Sequence, residues 1–152
     1  MQYSLSHHHG TGNDFLVFDL AQGVPNGEWP DLARKWCDRD RGVGADGLLI
    51  LGRESPTDLT MILFNADGSR AEMSGNGIRC LVQAAHQSND SRSGAKYIVS
   101  TDAGERSVTV LEVLDNDTSH ISADMGTVAP IQEPTQWHLL ECHPDRPARH
   151  VS

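Results

Sequence analysis

The chain is short of several things, and each shortage excludes something. Cysteine is scarce: Cys37, Cys80 and Cys142 are odd in number and never stand at metal-ligand spacing, so the spacing supports no disulfide framework. Basic residues are few, 12 Lys and Arg against 21 Asp and Glu, for a formal charge of −9. No basic stripe or Lys/Arg cluster interleaved with aromatics occurs, which argues against nucleic acid and equally against an anionic membrane surface. No apolar run approaches the length of a membrane-spanning helix, and the N-terminus carries no charged-then-apolar leader, so a soluble cytoplasmic protein is expected. Against these absences stand 152 residues of 38% hydrophobic content, enough for one ordinary globular domain with a core.

The most informative stretch runs from Asn65 to Ala85. Asn65-Ala-Asp-Gly68 has the composition of a hairpin turn, Ser69 to Met73 alternates as a short strand, and Gly75-Asn76-Gly77 opens an apolar run at helical spacing: Ile78, Leu81, Val82, Ala85. A strand therefore ends where a helix begins. The first amides of a helix are unpaired and carry the positive end of its dipole, and glycines beside them let a ligand approach the main chain. Such a junction suits a carboxylate or a phosphate. Ser74 precedes it and has two readings, an N-cap whose oxygen accepts from an amide two or three residues on, or a reacting group facing whatever those amides hold. Glu72-Met-Ser-Gly-Asn76 lacks the first glycine of a hydrolase nucleophile elbow.

Elsewhere the chain reads as strands and connections. Met1 to His9 begins as a strand and runs into His7-His8-His9; a tag is normally longer, and a metal site is disfavoured because neighbouring strand side chains point to opposite faces. Gly10-Thr-Gly-Asn-Asp-Phe15 superficially resembles a dinucleotide loop. It lacks the third glycine and leads into a strand, Phe15 to Asp19, so Asn13 and Asp14 can simply hold a turn. After a loop from Ala21 to Trp29, Pro30 opens an amphipathic helix to about Asp38 that is expected to bury Leu32, Ala33 and Trp36, with Cys37 a packing residue. Arg39 to Gly47 is a glycine-rich turn, either an anion nest or a plain reversal. Leu48 to Leu51, Asp58 to Phe64, Lys96 to Ser100, Arg106 to Leu114 and His120 to Met125 read as strands, and Gln87 to Gly94 as a polar loop. A Pro-punctuated segment from Pro130 to Pro134 precedes Trp137 to Cys142. Many strands around one prominent helix make an α+β arrangement.

Four motifs in order carry a resemblance. Gly10-Thr-Gly-Asn-Asp-Phe15, Arg41-Gly-Val-Gly-Ala-Asp-Gly-Leu-Leu49, Phe64-Asn-Ala-Asp-Gly-Ser69 and Glu72-Met-Ser-Gly-Asn-Gly-Ile-Arg-Cys80 together resemble the N-terminal half of diaminopimelate epimerase. The resemblance implies a domain of antiparallel or mixed sheet curled around a central helix, one of a pseudo-symmetric pair with the active site in the cleft between them. It implies inversion of LL-diaminopimelate to the meso form, a small-molecule amino-acid substrate handled with neither cofactor nor metal. Two cysteines, one per domain, exchange the α-proton on opposite faces. Matched residue by residue, Asn13, Asn65, Gly75 and Asn76 fall on substrate-contacting positions, Gly47 stands where some members have a glutamine contact, and Cys80 matches a helix cysteine that is not catalytic.

Two departures shape the expectation. Ser74 occupies the position of the catalytic cysteine, and a hydroxyl is too weak an acid to supply an appreciable anion near neutral pH. Residues 1–152 are expected to form a single N-terminal domain without its pseudo-symmetric partner, so the isolated chain should be inactive. A homodimer of a full-length protein stays open. Two other readings also stand: a non-catalytic amino-acid-binding or pairing module of the same fold, and a related proline racemase or phenazine-biosynthesis isomerase, which the Phe64 to Cys80 signature fits less well.

Overall fold

A computed structural model describes residues 2–89, 93–114 and 118–126. Its strands are β1 (Ser6–Gly10), β2 (Asn13–Asp19), β3 (Gly47–Arg53), β4 (Asp58–Asn65), β5 (Arg70–Ala71), β6 (Lys96–Thr101), β7 (Gly104–Val113) and β8 (Ser119–Ala123). Two helices accompany them, α1 (Trp29–Cys37) and α2 (Gly75–Ser88), with one 3-10 turn at Leu20–Gln22. The strands form one mixed sheet in the order β1-β2-β3-β4-β6-β7-β8, and β5 pairs with the end of β4. Among the described strands only β2 with β3 and β4 with β6 run parallel, because a parallel neighbour needs a crossover and α1 and α2 are the crossovers.

Alternation along the central strands builds two cores. Phe15 and Val17, Leu49 and Leu51, and Leu59, Met61 and Leu63 face α2. Leu16 and Phe18, Leu48 and Ile50, and Phe64 face α1. β2 and β3 are thus apolar on both sides, which is why their sequence reads as a run instead of an alternation. Helix α2 touches β1, β2, β3, β4, β7 and β8, so strands at both ends of the sheet reach the same helix and the sheet curls around it. Ile78, Leu81, Val82 and Ala85 are buried along α2, the positions its spacing predicts. This is the expected α+β arrangement of a curled mixed sheet about a central helix.

Differences from expectation are local. α1 begins at Trp29 and fully buries Ala33 and Cys37, while Leu32 and Trp36 keep some exposure. Trp36 lies against Phe18 instead, with ring centroids 5.8 Å apart. β5 is two residues long because the Asp67 carboxylate accepts from the Ser69 amide at 2.8 Å and extends the turn. α2 continues to Ser88, past the start of the expected polar loop, and the Ser88 hydroxyl donates back to the carbonyls of Ala84 and Ala85. The expected segments Pro130 to Pro134 and Trp137 to Cys142 lie outside the described residues.

Candidate active site

Register brings the strand-borne candidates to one rim. Phe15 of β2 lies beside Gly47 of β3, and Gly47 lies opposite Asn65 of β4. The starts of β2 and β3 and the end of β4 therefore share one edge, which places Asn13 and Asn65 on it, both exposed. Asn13 closes a two-residue hairpin with Gly10, whose loop residues Thr11 and Gly12 both have positive φ, 52° and 87°. That is the turn handedness matching strand twist, and it settles Gly10-Thr-Gly-Asn13 as a hairpin and not a dinucleotide loop. Asn65 Nδ2 donates to Ser69 Oγ at 3.0 Å, and the Asn65 amide donates to the Ser69 carbonyl at 2.8 Å.

From β5 the chain enters α2 through Glu72 and Met73. Ser74 adopts extended backbone, φ −145° and ψ 124°, and its Oγ accepts from the Gly77 amide at 3.0 Å. The cap reading of Ser74 is thus realised. Gly77 is packed tightly, since a Cβ there would lie 3.1 Å from Ser74 Cβ and 3.4 Å from Leu49. Asn76 accepts from the Arg79 guanidinium through Oδ1. No acidic residue occupies the first turn of α2, and among the described residues no acceptor meets the amides of Gly75 and Asn76. Ser74, Gly75 and Asn76 are part-exposed, with Met125 beside Gly75. The helix start therefore offers two amides and the positive end of the dipole on an open rim. A cavity of about 710 Å³ between β1 and β8 includes none of the five candidates.

Neither described cysteine belongs to this rim chemically. Burial pushes the thiols of Cys37 and Cys80 up to about 11, so both stay protonated near neutral pH and act as core packing. The three histidines turn to alternate faces. His8 points inward, its Nδ1 2.8 Å from Gln83 Oε1 and its pKa lowered by burial, whereas His7 pairs with Asp14 at 2.9 Å and His9 is exposed. Sequence reasoning missed Arg39, which reaches two carboxylates behind the rim, Asp14 at 2.7 Å and Asp46 at 3.1 Å. No local signal reveals it, because the partners meet only through the β2–β3 register.

A mixed sheet curled around a central helix defines a fold class shared with solved structures. The Bacillus anthracis phenazine biosynthesis protein of the PhzF family superposes with a TM-score of 0.58 at 19% identity, over 80% of this chain and 40% of that one. A hydroxyproline epimerase from Agrobacterium vitis gives 0.58 at 18% identity, over 81% of this chain and 42% of that one. Those likenesses establish the fold alone. The family model described as diaminopimelate epimerase matches residues 5–130, and the chain belongs to that family. Similar members are the diaminopimelate epimerases of Methanocella arvoryzae, 42% identical over 78% of this chain and 41% of theirs, and of Trichodesmium erythraeum, 39% identical over 83% and 44%. The protein of Synechococcus elongatus is 36% identical over 89% of this chain and 47% of its own length. The chain spans less than half the length of these relatives.

Proposed function

We propose that the chain supplies one half of the active site of a cytoplasmic, cofactor-independent isomerase that interconverts LL- and meso-diaminopimelate, a step toward lysine and peptidoglycan precursors. The observation that carries this reading is the open start of α2, where among the described residues no acceptor meets the amides of Gly75 and Asn76 and no acidic residue occupies the first turn. Those amides grip the substrate's α-carboxylate, and Asn13 and Asn65 on the neighbouring strand ends contact the rest of the amino-acid head. As the α-proton leaves, charge spreads into that carboxylate, so fixed donors aimed at it favour the transition state over the bound substrate.

Inversion needs proton-transfer groups on opposite faces of the α-carbon. Ser74 stands where one of them acts in the family. Its hydroxyl is a poor base, and it already caps the helix. Cys37 and Cys80 cannot replace it, being buried and protonated. The isolated chain therefore binds diaminopimelate without exchanging its α-proton. The same cap favours a second reading, a non-catalytic domain of this fold that retains the carboxylate grip.

Two measurements test the proposal. Calorimetric titration should give binding of LL-diaminopimelate and none of cadaverine, which lacks both carboxylates; equal binding of the two would remove the grip. Incubation in deuterated water should leave the α-proton of LL-diaminopimelate unexchanged, and robust exchange would refute the claim of inactivity.

A further inference from the structure

We propose that Arg39 is a positioning residue for the ligand-binding rim: by clamping Asp14 to Asp46 it fixes Asn13 and Asn65 without touching the ligand. The inference rests on the reading of that rim given above.

β2 and β3 begin side by side as parallel strands, so no hairpin joins their starts, and Asp14 and Asp46 are 32 residues apart in sequence. Bringing two carboxylates together is unfavourable without a cation between them. Arg39 supplies it. Its Nη1 and Nη2 donate to Asp14 Oδ2 at 3.2 Å and Oδ1 at 2.7 Å, a bidentate grip, and Nη2 also donates to Asp46 Oδ1 at 3.1 Å. With the repulsion removed, the two aspartates stitch the backbones. The Asp14 amide donates to Asp46 Oδ2 at 3.1 Å, and the Asp46 amide donates to the Asp14 carbonyl at 2.9 Å and to Asp14 Oδ1 at 3.1 Å. The third strand end joins through the Ala66 amide, which donates to the Asp46 carbonyl at 3.0 Å. Each rim asparagine is the residue immediately before a stitched one, Asn13 before Asp14 and Asn65 before Ala66.

The clamp is itself held. Asp38 Oδ1 accepts from the amides of Asp40 and Arg41 at 2.8 and 2.9 Å, closing the turn that presents Arg39. Gly44, at φ +87°, packs so closely that a Cβ would lie 3.1 Å from Arg39 Cα. The Arg39 guanidinium, helped by His7 Nε2 at 2.9 Å, holds the Asp14 carboxyl well below the usual carboxylate range.

The test compares the full chain with Arg39→Gln and Arg39→Lys. Without ligand, amide hydrogen exchange at Asp14, Asp46 and Ala66 should quicken about tenfold or more in Arg39→Gln, while Leu81 in α2 is unchanged. Calorimetric titration with LL-diaminopimelate should show about tenfold weaker binding in both variants, with thermal midpoints within a few degrees of the parent. Lysine fails as well because one ammonium cannot replace a planar three-bond fork. Unchanged exchange at the three amides would overturn the clamp whatever the ligand does. Quickened exchange with affinity unchanged, or full rescue by lysine, would overturn the positioning role. A parent that binds no diaminopimelate would instead overturn the reading of the rim and, with it, the ligand side of this assignment.

Discussion

The two helices start differently, and the difference sets a helix with its own first-turn acid against one whose start lies open. α1 enters from Glu28, which makes no side-chain cap bond, and carries Pro30 and Asp31 in its first turn, so one donor is removed and a carboxylate stands at the positive end of the dipole. α2 enters from Ser74, whose hydroxyl holds one amide, and then offers Gly75 and Asn76 with no acid of its own. Burial runs the other way. α1 lies on the convex face with Ala33 and Cys37 fully buried, whereas α2 runs through the curled sheet with Ile78, Leu81, Val82 and Ala85 all inside. The helix whose flanks are most constrained keeps its end most open. A donor set held rigidly by packing elsewhere needs no reorganisation when a ligand arrives.

That contrast gives a graded set of expectations. The largest is in the core: Leu81→Ala should lose about 2–5 kcal/mol of unfolding free energy by urea titration, against about 1 kcal/mol for Leu32→Ala on α1. Equal losses would mean that the sheet does not wrap α2. Ser74→Ala should lose about 1 kcal/mol with its cap bond, while Glu28→Ala at the start of α1 should change stability by less than about 0.5 kcal/mol. Asn76→Asp should move two readouts in opposite directions, raising stability by about 0.3–1 kcal/mol through the helix dipole while abolishing ligand binding by occupying the positive end. A variant that still binds the diaminoacid normally would place the carboxylate elsewhere.

The smallest effect is read against pH. Asp14 titrates below its unfolded value because Arg39 donates to its carboxylate. A depressed acid stabilises the fold above the unfolded pKa, about 3.9, and loses that contribution as pH falls through the folded one. Asp14→Asn should therefore weaken the chain by less than about 1 kcal/mol at pH 7, Arg39 being well exposed, and the gap between parent and variant should close below about pH 4. A gap that widens in acid would reverse the sign of the interaction.

Legibility in the sequence followed the range of the interaction. The hairpin at Asn65 to Gly68, the cap at Ser74 and the apolar stripe of α2 are local, and their residues announce them. Boundaries slipped where side chains bond back to the main chain, as Asp67 does at the foot of β5 and Ser88 at the end of α2. The curl of the sheet was anticipated through family resemblance, not periodicity, since alternation within β2 and β3 is masked by burial on both faces. Which of three adjacent histidines turns inward depends on register against β2, and the Arg39 clamp on a parallel pairing between distant segments. Neither pattern is written in neighbouring residues.

The central claim is that the amides opening α2 hold the acid end of an amino-acid ligand. Titrating LL-diaminopimelate into the ¹⁵N-labelled chain tests it directly. The amide resonances of Gly75 and Asn76 should move first and furthest, with Asn13 and Asn65 following. Saturable shifts confined to other regions, with Gly75 and Asn76 unmoved, would contradict it.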